Sequence, residues 1–408
     1  MNLLLKLAWR NLWRNKRRTI ITICAVVFAA MLAIAMRGIQ IGTYEANIKH
    51  AVSLFSGYLQ VQKAGYLDNP SLQKSFRFDG NLQTILANEE QVTGFTPRVN
   101  AQGLISFKEN SMGAVIFGIV PDSEANVSIF NSKLNQGSFF QTDSSYSIIL
   151  GYKLLQNLNA EIGDTVVVLA QGIDGSLGNF KYEIAGTVKI GSPEFDGTVI
   201  FMGLSVLQEL LAMEGRVNSV AISLVSLNQV DAFQKKLKPY LPEDLDIPSW
   251  LEIMPDLKQS IELDNISGLI FLWILIVVVA FGILNAILMS VTERFNEFGV
   301  ALAMCMRNST LVILVLIESF IIAVIGLIIG NIIALGINYY IFLNPIEFSG
   351  DFALLYEEYG FIPKIYSTLK PSVFINSTLN LLLITIAASF YPAFKVFKLE
   401  PLKGIRYT

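Results

Sequence analysis

The sequence predicts an α-helical membrane protein with four transmembrane helices in a 1+3 arrangement and a large α+β extracytoplasmic domain inserted between the first and second helices. Three observations lead there. The 408 residues are 53% hydrophobic and only 15% charged, with a mean hydropathy of +0.52, whereas a soluble domain carries about 25% charged residues. Four charge-free stretches, Thr19–Met36, Asn265–Thr292, Ser319–Ile346 and Pro371–Phe394, approach or exceed the about 20 apolar residues that a spanning helix needs. Residues 43–263 hold 15 Lys and Arg against 24 Asp and Glu, so one acidic block of soluble character lies between the first two stretches.

The first stretch is preceded by Lys6, Arg10, Arg14, Lys16, Arg17 and Arg18 with no acid. A basic start, an apolar run and Ala33-Ile34-Ala35 could also mark a cleaved signal peptide. The run is longer than the 7–15 residues usual for such a peptide, and the helical register continues past the cut, so a retained anchor is expected. Arg294 and Arg307 follow the second stretch, and Lys395, Lys398, Lys403 and Arg406 follow the fourth. These twelve bases face only Glu293, Glu297 and Glu400, whereas the loop from Tyr339 to Lys370 sets Glu347, Asp351, Glu357 and Glu358 against Lys364 and Lys370. Basic flanks stay in the cytoplasm, so both termini are expected inside and the large domain outside. The expected boundaries are 1–42 for the basic flank and first span, 43–263 for the outer domain and 264–292 for the second span. A cytoplasmic segment at 293–309, a third span at 310–338, an outer loop at 339–370 and a fourth span with tail at 371–408 complete the chain.

Beginning the third span near Thr310 places Glu318 about eight residues into it. A lone ionisable group there costs about 2.5–3.5 kcal/mol on insertion scales unless it is paired or snorkels. The sequence leaves open a coupling role or a plain position near the headgroups beside Arg294 or Arg307.

Within the acidic block, "GYLQVQ" from Gly57, "LISF", "GAVIFGIV", "YSIILG", "DTVVVLA", "KYEIAGTVKI" and "TVIFMG" are short β-rich runs separated by glycine and polar residues. Helices are expected at Asn81–Asn88 and Ser226–Leu237, giving an α+β domain with a mostly β portion inserted between its first and last parts. Helical junctions expected at Arg37–Leu54 and Ile253–Ser267 join the block to its spans with no Gly/Ser linker, so they would transmit motion rather than absorb it.

Chemistry is sparse. No G-x-x-x-x-G-K-[ST] or G-x-S-x-G motif occurs, which excludes a P-loop in this chain and a hydrolase elbow. The single histidine, His50, and the two cysteines, Cys24 and Cys305, cannot assemble a His/Cys metal site or a disulfide framework in the outer domain. No catalytic residue, cofactor site or metal site is expected, and an acidic domain is the wrong partner for nucleic acid. Each cytoplasmic segment is too short to fold as a catalytic domain. Four spans split around one domain also lack the repeated halves of a secondary transporter.

The segment "TERFNEFGVALAMCMRNS", Thr292–Ser309, repeats Phe295, Phe298, Leu302 and Met306 at helical spacing, with Glu293, Arg294, Glu297 and Arg307 mainly on the other side. It makes a short amphipathic helix whose apolar face suits either a protein partner or lipid.

Together with this segment, "LAWRNLWRNKRRT" (Leu7–Thr19), Glu318-Ser319 and "YPAFKVFKLEPLKGIR" (Tyr391–Arg406) resemble the FtsX-like permeases of ABC transporters, in the same order and spacing. "MRGIQIGTYE", "GYLQVQKAGY", "IILGYKLLQNLNAEIGDTVVV" and "EFDGTVIF" look like the lipoprotein-releasing branch. The resemblance implies that a separate cytoplasmic ATPase dimer binds ATP and Mg and pushes on the loop helix. Glu293, Arg294, Phe295, Glu297, Phe298 and Gly299 would form the coupling surface, with Phe295 and Phe298 docking into the ATPase. It further implies pairing with a second permease subunit, identical or sister, in the lipid of a bacterial inner membrane, and a periplasmic carrier or adaptor outside. Two departures stand out. The family usually has glycine where this chain has Cys305, and the stretch matching a carrier-hooking loop, Gln171–Asn179, is short and glycine-rich. The functions implied are lipoprotein release, export of the macrolide-efflux type, or force transmission to a periplasmic hydrolase without transport.

Overall fold

The computed structural model describes residues 2–191, 193–358 and 361–400. Two compact units emerge: one from the segments up to Tyr44, Ile261–Glu347 and from Lys364 onward, the other from Glu45–Ser260 and Phe348–Pro363. Tail residues Lys403 and Arg406, counted above as cytoplasmic bases, lie outside the described residues.

The first unit is built from helices α1 (Asn2–Arg14), α2 (Lys16–Ala51), α3 (Pro255–Glu293), α4 (Phe295–Ala303), α5 (Asn308–Leu343) and α6 (Pro371–Phe397), with the chain leaving it inside α2 and returning inside α3. Four helices, α2 with its continuation to Leu54, α3, α5 and α6, are long and apolar enough to cross a membrane. They overrun the charge-free stretches. α2 carries Arg37, Glu45 and Lys49 beyond Met36, and α3 begins ten residues before Asn265. Backbone hydrogen bonds within a helix need no apolar side chains, so helix continues where hydropathy ends.

Small residues set how α2 meets α5. A Cβ on Gly326 would lie 2.6 Å from the Val26 side chain, and one on Gly330 would lie 2.5 Å from that of Ala30. Such close backbone approach drives helix association where lipid removes the hydrophobic difference between inside and outside. Polar side chains add interhelical bonds. Asn331 and Thr378 exchange hydrogen bonds of 2.9 and 3.1 Å between α5 and α6. Asn338 Nδ2 donates to the Ile34 carbonyl at 3.4 Å, and its Oδ1 accepts from Ser367 Oγ at 3.0 Å. By contrast α3 leaves Phe271, Trp273, Ile274, Val278 and Phe281 more than half exposed.

The second unit is organised by a ten-stranded sheet. Its strands are β1 (Leu59–Lys63), β2 (Val92–Phe107), β3 (Asn110–Ile119), β4 (Leu134–Gly137), β5 (Ser147–Gly151), β6 (Thr165–Gln171), β7 (Leu177–Val188), β8 (Val199–Gly203), β9 (Ser219–Leu224) and β10 (Leu245–Asp246). They lie in the order β10-β1-β9-β2-β3-β8-β5-β7-β4, with β6 pairing β2 and β7. β1, from the start of the block, therefore pairs with β9 and β10 from its end, while residues 134–203 supply the far side of the sheet. Helices at Gly80–Ala87 and Val230–Leu237 contribute Leu82, Leu86, Phe233 and Leu237 to a core with Ile105, Ile116 and Ile222. A second cluster is aromatic, with the Phe130 and Phe201 ring centroids 4.0 Å apart.

One charge pair is fully enclosed here. Arg98 Nε and Nη2 donate to Glu124 Oε2 and Oε1 at 3.0 and 2.6 Å, and Ser128 Oγ donates to Oε1 at 2.6 Å. Two-point geometry and the extra donor offset the desolvation that burial imposes on both ions.

The packing of α2 on α5 yields a prediction. Gly330→Leu, which drives a side chain into Ala30, should destabilise the detergent-solubilised protein by about 1–3 kcal/mol. Gly336→Leu, on the same helix with nothing within 4 Å of its Cβ, should leave the thermal midpoint unchanged. Equal midpoints for the two variants would contradict the tight contact.

Candidate coupling site

The loop helix predicted from sequence forms as α4, and three residues near the N-terminus bond it and the helices on either side of it. Asn11 and Arg14 lie on α1 and Arg18 on α2, spaced three and four apart so that they share a side of the chain. Their partners are three acids. Asn11 Nδ2 donates to Glu318 Oε1 at 2.8 Å, Arg14 donates to Glu297, and Arg18 Nη1 donates to Glu293 Oε2 at 2.7 Å. Glu293 and Glu297 are themselves four apart, so the rungs match.

Arg294 sits at the centre. It is the residue before α4, buried to 6% exposure. Its Nη1 lies 2.9 and 2.8 Å from the two oxygens of Glu318, which is 7% exposed. Its Nε reaches Glu297 Oε2 at 3.4 Å, and its guanidinium carbon stands 4.9 Å from the Phe298 ring centroid. Glu318 is thus paired inside the helical unit. The insertion penalty that its position in α5 implies is offset by one guanidinium nitrogen shared between both carboxylate oxygens and by an amide donor.

The expectation that Phe295 and Phe298 dock into a partner needs correction. Phe295 is 8% and Phe298 2% exposed, in one apolar cluster with Val291, Leu302, Leu311, Val315, Val396 and Leu399. Gly299 is buried with them. The amphipathic pattern is satisfied within the chain itself: the apolar face holds α4 against the ends of α5 and α6, and Arg294 is on that face. What α4 presents outward is Asn296, Glu297, Val300, Ala303 and Met304, with Val300 46% and Met304 74% exposed. Of the residues singled out from sequence, Arg294, Glu297 and Glu318 are drawn into one network, and Glu293 pairs beside it with Arg18. Sequence reasoning missed Asn11, Arg14 and Arg18, although the signal was present as a basic series and an acidic series of equal spacing.

α4 ends as a glycine-terminated helix would, without the glycine. Cys305 has φ +68°, its N–H donates to the Leu302 carbonyl at 3.0 Å, and the Met306 N–H donates to the Ala301 carbonyl at 3.1 Å. These are the two bonds of a left-handed helix termination. The stretch Gln171–Asn179 closes the β6–β7 hairpin in a tight turn. Gly172 N–H bonds the Ser176 carbonyl at 2.8 Å, Gly175 has φ +85°, and the Asp174 carboxylate, held below its usual range by the Ser176 hydroxyl and N–H, braces it. Among the described residues no group of three or more His, Cys, Asp or Glu side chains is arranged to hold a metal ion.

Residues 19–240 match the MacB-like periplasmic core domain and residues 269–401 the FtsX-like permease C-terminal domain. The chain is 24% identical over 327 residues to the lipoprotein-releasing system transmembrane protein LolC of Xylella fastidiosa, covering 78% of this chain and 79% of that protein. It is 22% identical over 410 residues to the macrolide export ATP-binding/permease protein MacB of Acinetobacter baylyi, covering 96% of this chain and 57% of that protein. The solved periplasmic region of MacB from Actinobacillus actinomycetemcomitans aligns with a TM-score of 0.38 and 16% identity, covering 53% of this chain and 98% of that one.

Two predictions follow from the network. Removing one partner of a buried ion pair costs about 3–5 kcal/mol, because the other charge is left uncompensated. Arg294→Leu and Glu318→Leu should each destabilise to that extent in detergent unfolding, and the double variant should recover most of the loss; additive losses would contradict the pairing. The second concerns pH. The Arg14 hydrogen bond holds the Glu297 carboxyl below its usual 4.5, so its stabilisation is fully present above pH 4.5 and is lost as pH falls through the lowered folded value. Because the bridge is about half exposed, its contribution is no more than about 1 kcal/mol. Glu297→Gln should therefore lower the neutral-pH midpoint slightly, by no more than that contribution, and its midpoint-against-pH series should converge with the wild type's in acid, where the carboxyl is protonated in both states.

Proposed function

From the premise that this chain belongs to the FtsX-like permeases bearing a MacB-like periplasmic core domain, we propose that it is the non-catalytic membrane subunit of an ABC machine that releases lipoproteins from a bacterial inner membrane. In this reading both termini and α4 are cytoplasmic, and the chain crosses the membrane once before the periplasmic domain and three times after it. ATP and Mg are bound by a separate ATPase dimer. A second permease subunit, identical or sister, covers the exposed face of α3, and the released cargo passes to a periplasmic carrier.

The observation that carries the proposal is the fixed orientation of α4. A helix locked to its own spans by an ion-pair network, with Asn296, Val300, Ala303 and Met304 outward, delivers a partner's push to α3 and α5 without hinging. ATP binding can shift the spans only through contacts that differ between two arrangements, and this outward face, with the half-exposed Glu297, is what α4 leaves accessible to make them. The similarity to LolC over most of both chains favours lipoprotein as cargo. The MacB relatives, which align with 96% of this chain, support macrolide-type export with a periplasmic adaptor as the second reading.

The test is purification of the tagged full chain from its native membrane in mild detergent, with mass spectrometry of everything retained. An ABC ATPase and an acylated protein are expected. An adaptor with an outer-membrane duct would replace the cargo assignment by export, and a periplasmic hydrolase would replace transport by regulation. Val300→Asp/Met304→Asp should lose the ATPase and keep the fold. Retention of the ATPase at wild-type stoichiometry by that variant would refute the docking face.

A further inference from the structure

One face of the sheet in the second unit carries an unusual set of side chains. Cross-strand partners share a face, and the register runs from Gln60 and Gln62 on β1 through Ala221 and Ser219 on β9 to Arg98, Asn100 and Gln102 on β2, then Phe117 and Val115 on β3. Over this face, the segment after β1 and the β6–β7 turn enclose a cleft of about 680 Å³, within the about 300–1,000 Å³ of ligand sites. Six lining side chains are primary amides: Gln60, Gln62, Gln73, Asn100, Gln102 and Gln171. None of the lining side chains among the described residues is charged, although the surrounding block is strongly acidic.

A solvated surface would explain exposed amides but not buried ones. Gln62 is 2% exposed. Asn100 Oδ1 is buried without a hydrogen-bond partner among the described residues, and so is Ser219 Oγ, the register partner of Gln62. The Asn100 backbone N–H donates to Asn218 Oδ1 at 2.9 Å, so the residue is held in place with its side-chain oxygen unanswered.

We propose that the cleft binds an extended, uncharged stretch of polypeptide. A primary amide carries the same donor and acceptor as a peptide group. Gln60 with Gln62, and Asn100 with Gln102, recur every second residue along their strands, a spacing of about 6.6 Å, which is the repeat of an extended chain laid alongside. Leu67, Leu72 and Ile253 line the cleft and suit aliphatic side chains. Charged segments find no counter-charge. A glycan is disfavoured because the two lining rings, Tyr66 and Phe117, are 7% and 8% exposed and offer no open face for sugar stacking. The assignment goes beyond the transport reading, because it does not depend on whether the machine's cargo is lipidated.

The experiment uses the full chain in mild detergent and a library of eight-residue peptides of Gly, Ala, Ser, Asn, Gln and Leu, capped at both ends, read by equilibrium dialysis and mass spectrometry. A subset should be retained saturably. Gln102→Ala/Gln171→Ala, both on exposed positions, should weaken the best peptide about tenfold or more, and so should Gln73→Trp, which narrows the rim without disturbing a buried residue. Replacing two of its residues by Asp should do the same. No saturable peptide, affinity unchanged in both variants, or displacement of the peptide by maltotetraose would each overturn the proposal.

Discussion

The end of the helical unit that carries α4 depends on one desolvated ion pair, Arg294 with Glu318. Arg294 stands where α3 gives way to α4, so its position is set by two helices, and Glu318 belongs to α5. The planar guanidinium meets both carboxylate oxygens, turns one edge toward Glu297 and lays its face near Phe298. Each contact removes a degree of rotation from α4. A lysine could supply the charge but not the fork, so the helix would keep its place and lose its roll. With the roll fixed, Phe295 and Phe298 are inward and Met304 is outward, and the surface offered to a partner follows from that.

The same logic of enforced closeness runs along α2 and α5. Hydrophobicity cannot hold two helices together in lipid, so contact relies on the absence of side chains at Gly326 and Gly330 and on amides such as Asn331 and Asn338. Near the end of the first unit in α2, the Thr368 N–H donates to the Gly38 carbonyl at 3.1 Å, and the Tyr366 N–H donates to Thr43 Oγ1 at 3.2 Å. The segment entering α6 is thereby stitched to α2 by backbone groups. Interactions of this kind have one register only, which suits an element meant to move as a body.

Much of this was legible in the sequence, and the failures have physical causes. Hydropathy located the long helices because twenty apolar residues have few other uses, but it ended α2 early and started α3 late, since a helix does not stop where lipid does. Strands with strong alternation were visible; β9, "SVAISL", was not, because small residues buried on both faces leave no period. At the coupling helix the pattern was right and its direction wrong. An amphipathic stripe says that an apolar face will be covered and is silent on whether the cover is another chain or this one. The partners Asn11, Arg14 and Arg18 lie about 300 residues away in sequence, so the matched spacing of bases and acids is visible only when the two distant segments are set side by side. Cys305 is a third case: its φ of +68° shows that the turn geometry survives where the favoured residue does not, with strain accepted in place of glycine.

These constraints bear on how force could travel. α3 runs unbroken for 39 residues, roughly 58 Å at about 1.5 Å per residue, and α4 is attached to one end of it through Arg294. Its other end starts one residue after the short helix Trp250–Ile253, whose Ser249–Glu252 capping box fixes the entry of the chain. α2 likewise continues without interruption into a π-helical turn at Val52–Ser56 and stops at Gly57, with φ +72°, where an added Cβ would meet the Ile222 carbonyl at 3.0 Å. Neither helix contains the flexible glycine-serine run that would dissipate displacement along its length. In the proposed machine, compliance must therefore reside at the outer ends of these helices: at Met254 before α3, and at the π turn between α2 and β1. Those are the positions where backbone geometry departs from the regular helix, so a change of direction there leaves the long helical ladders intact.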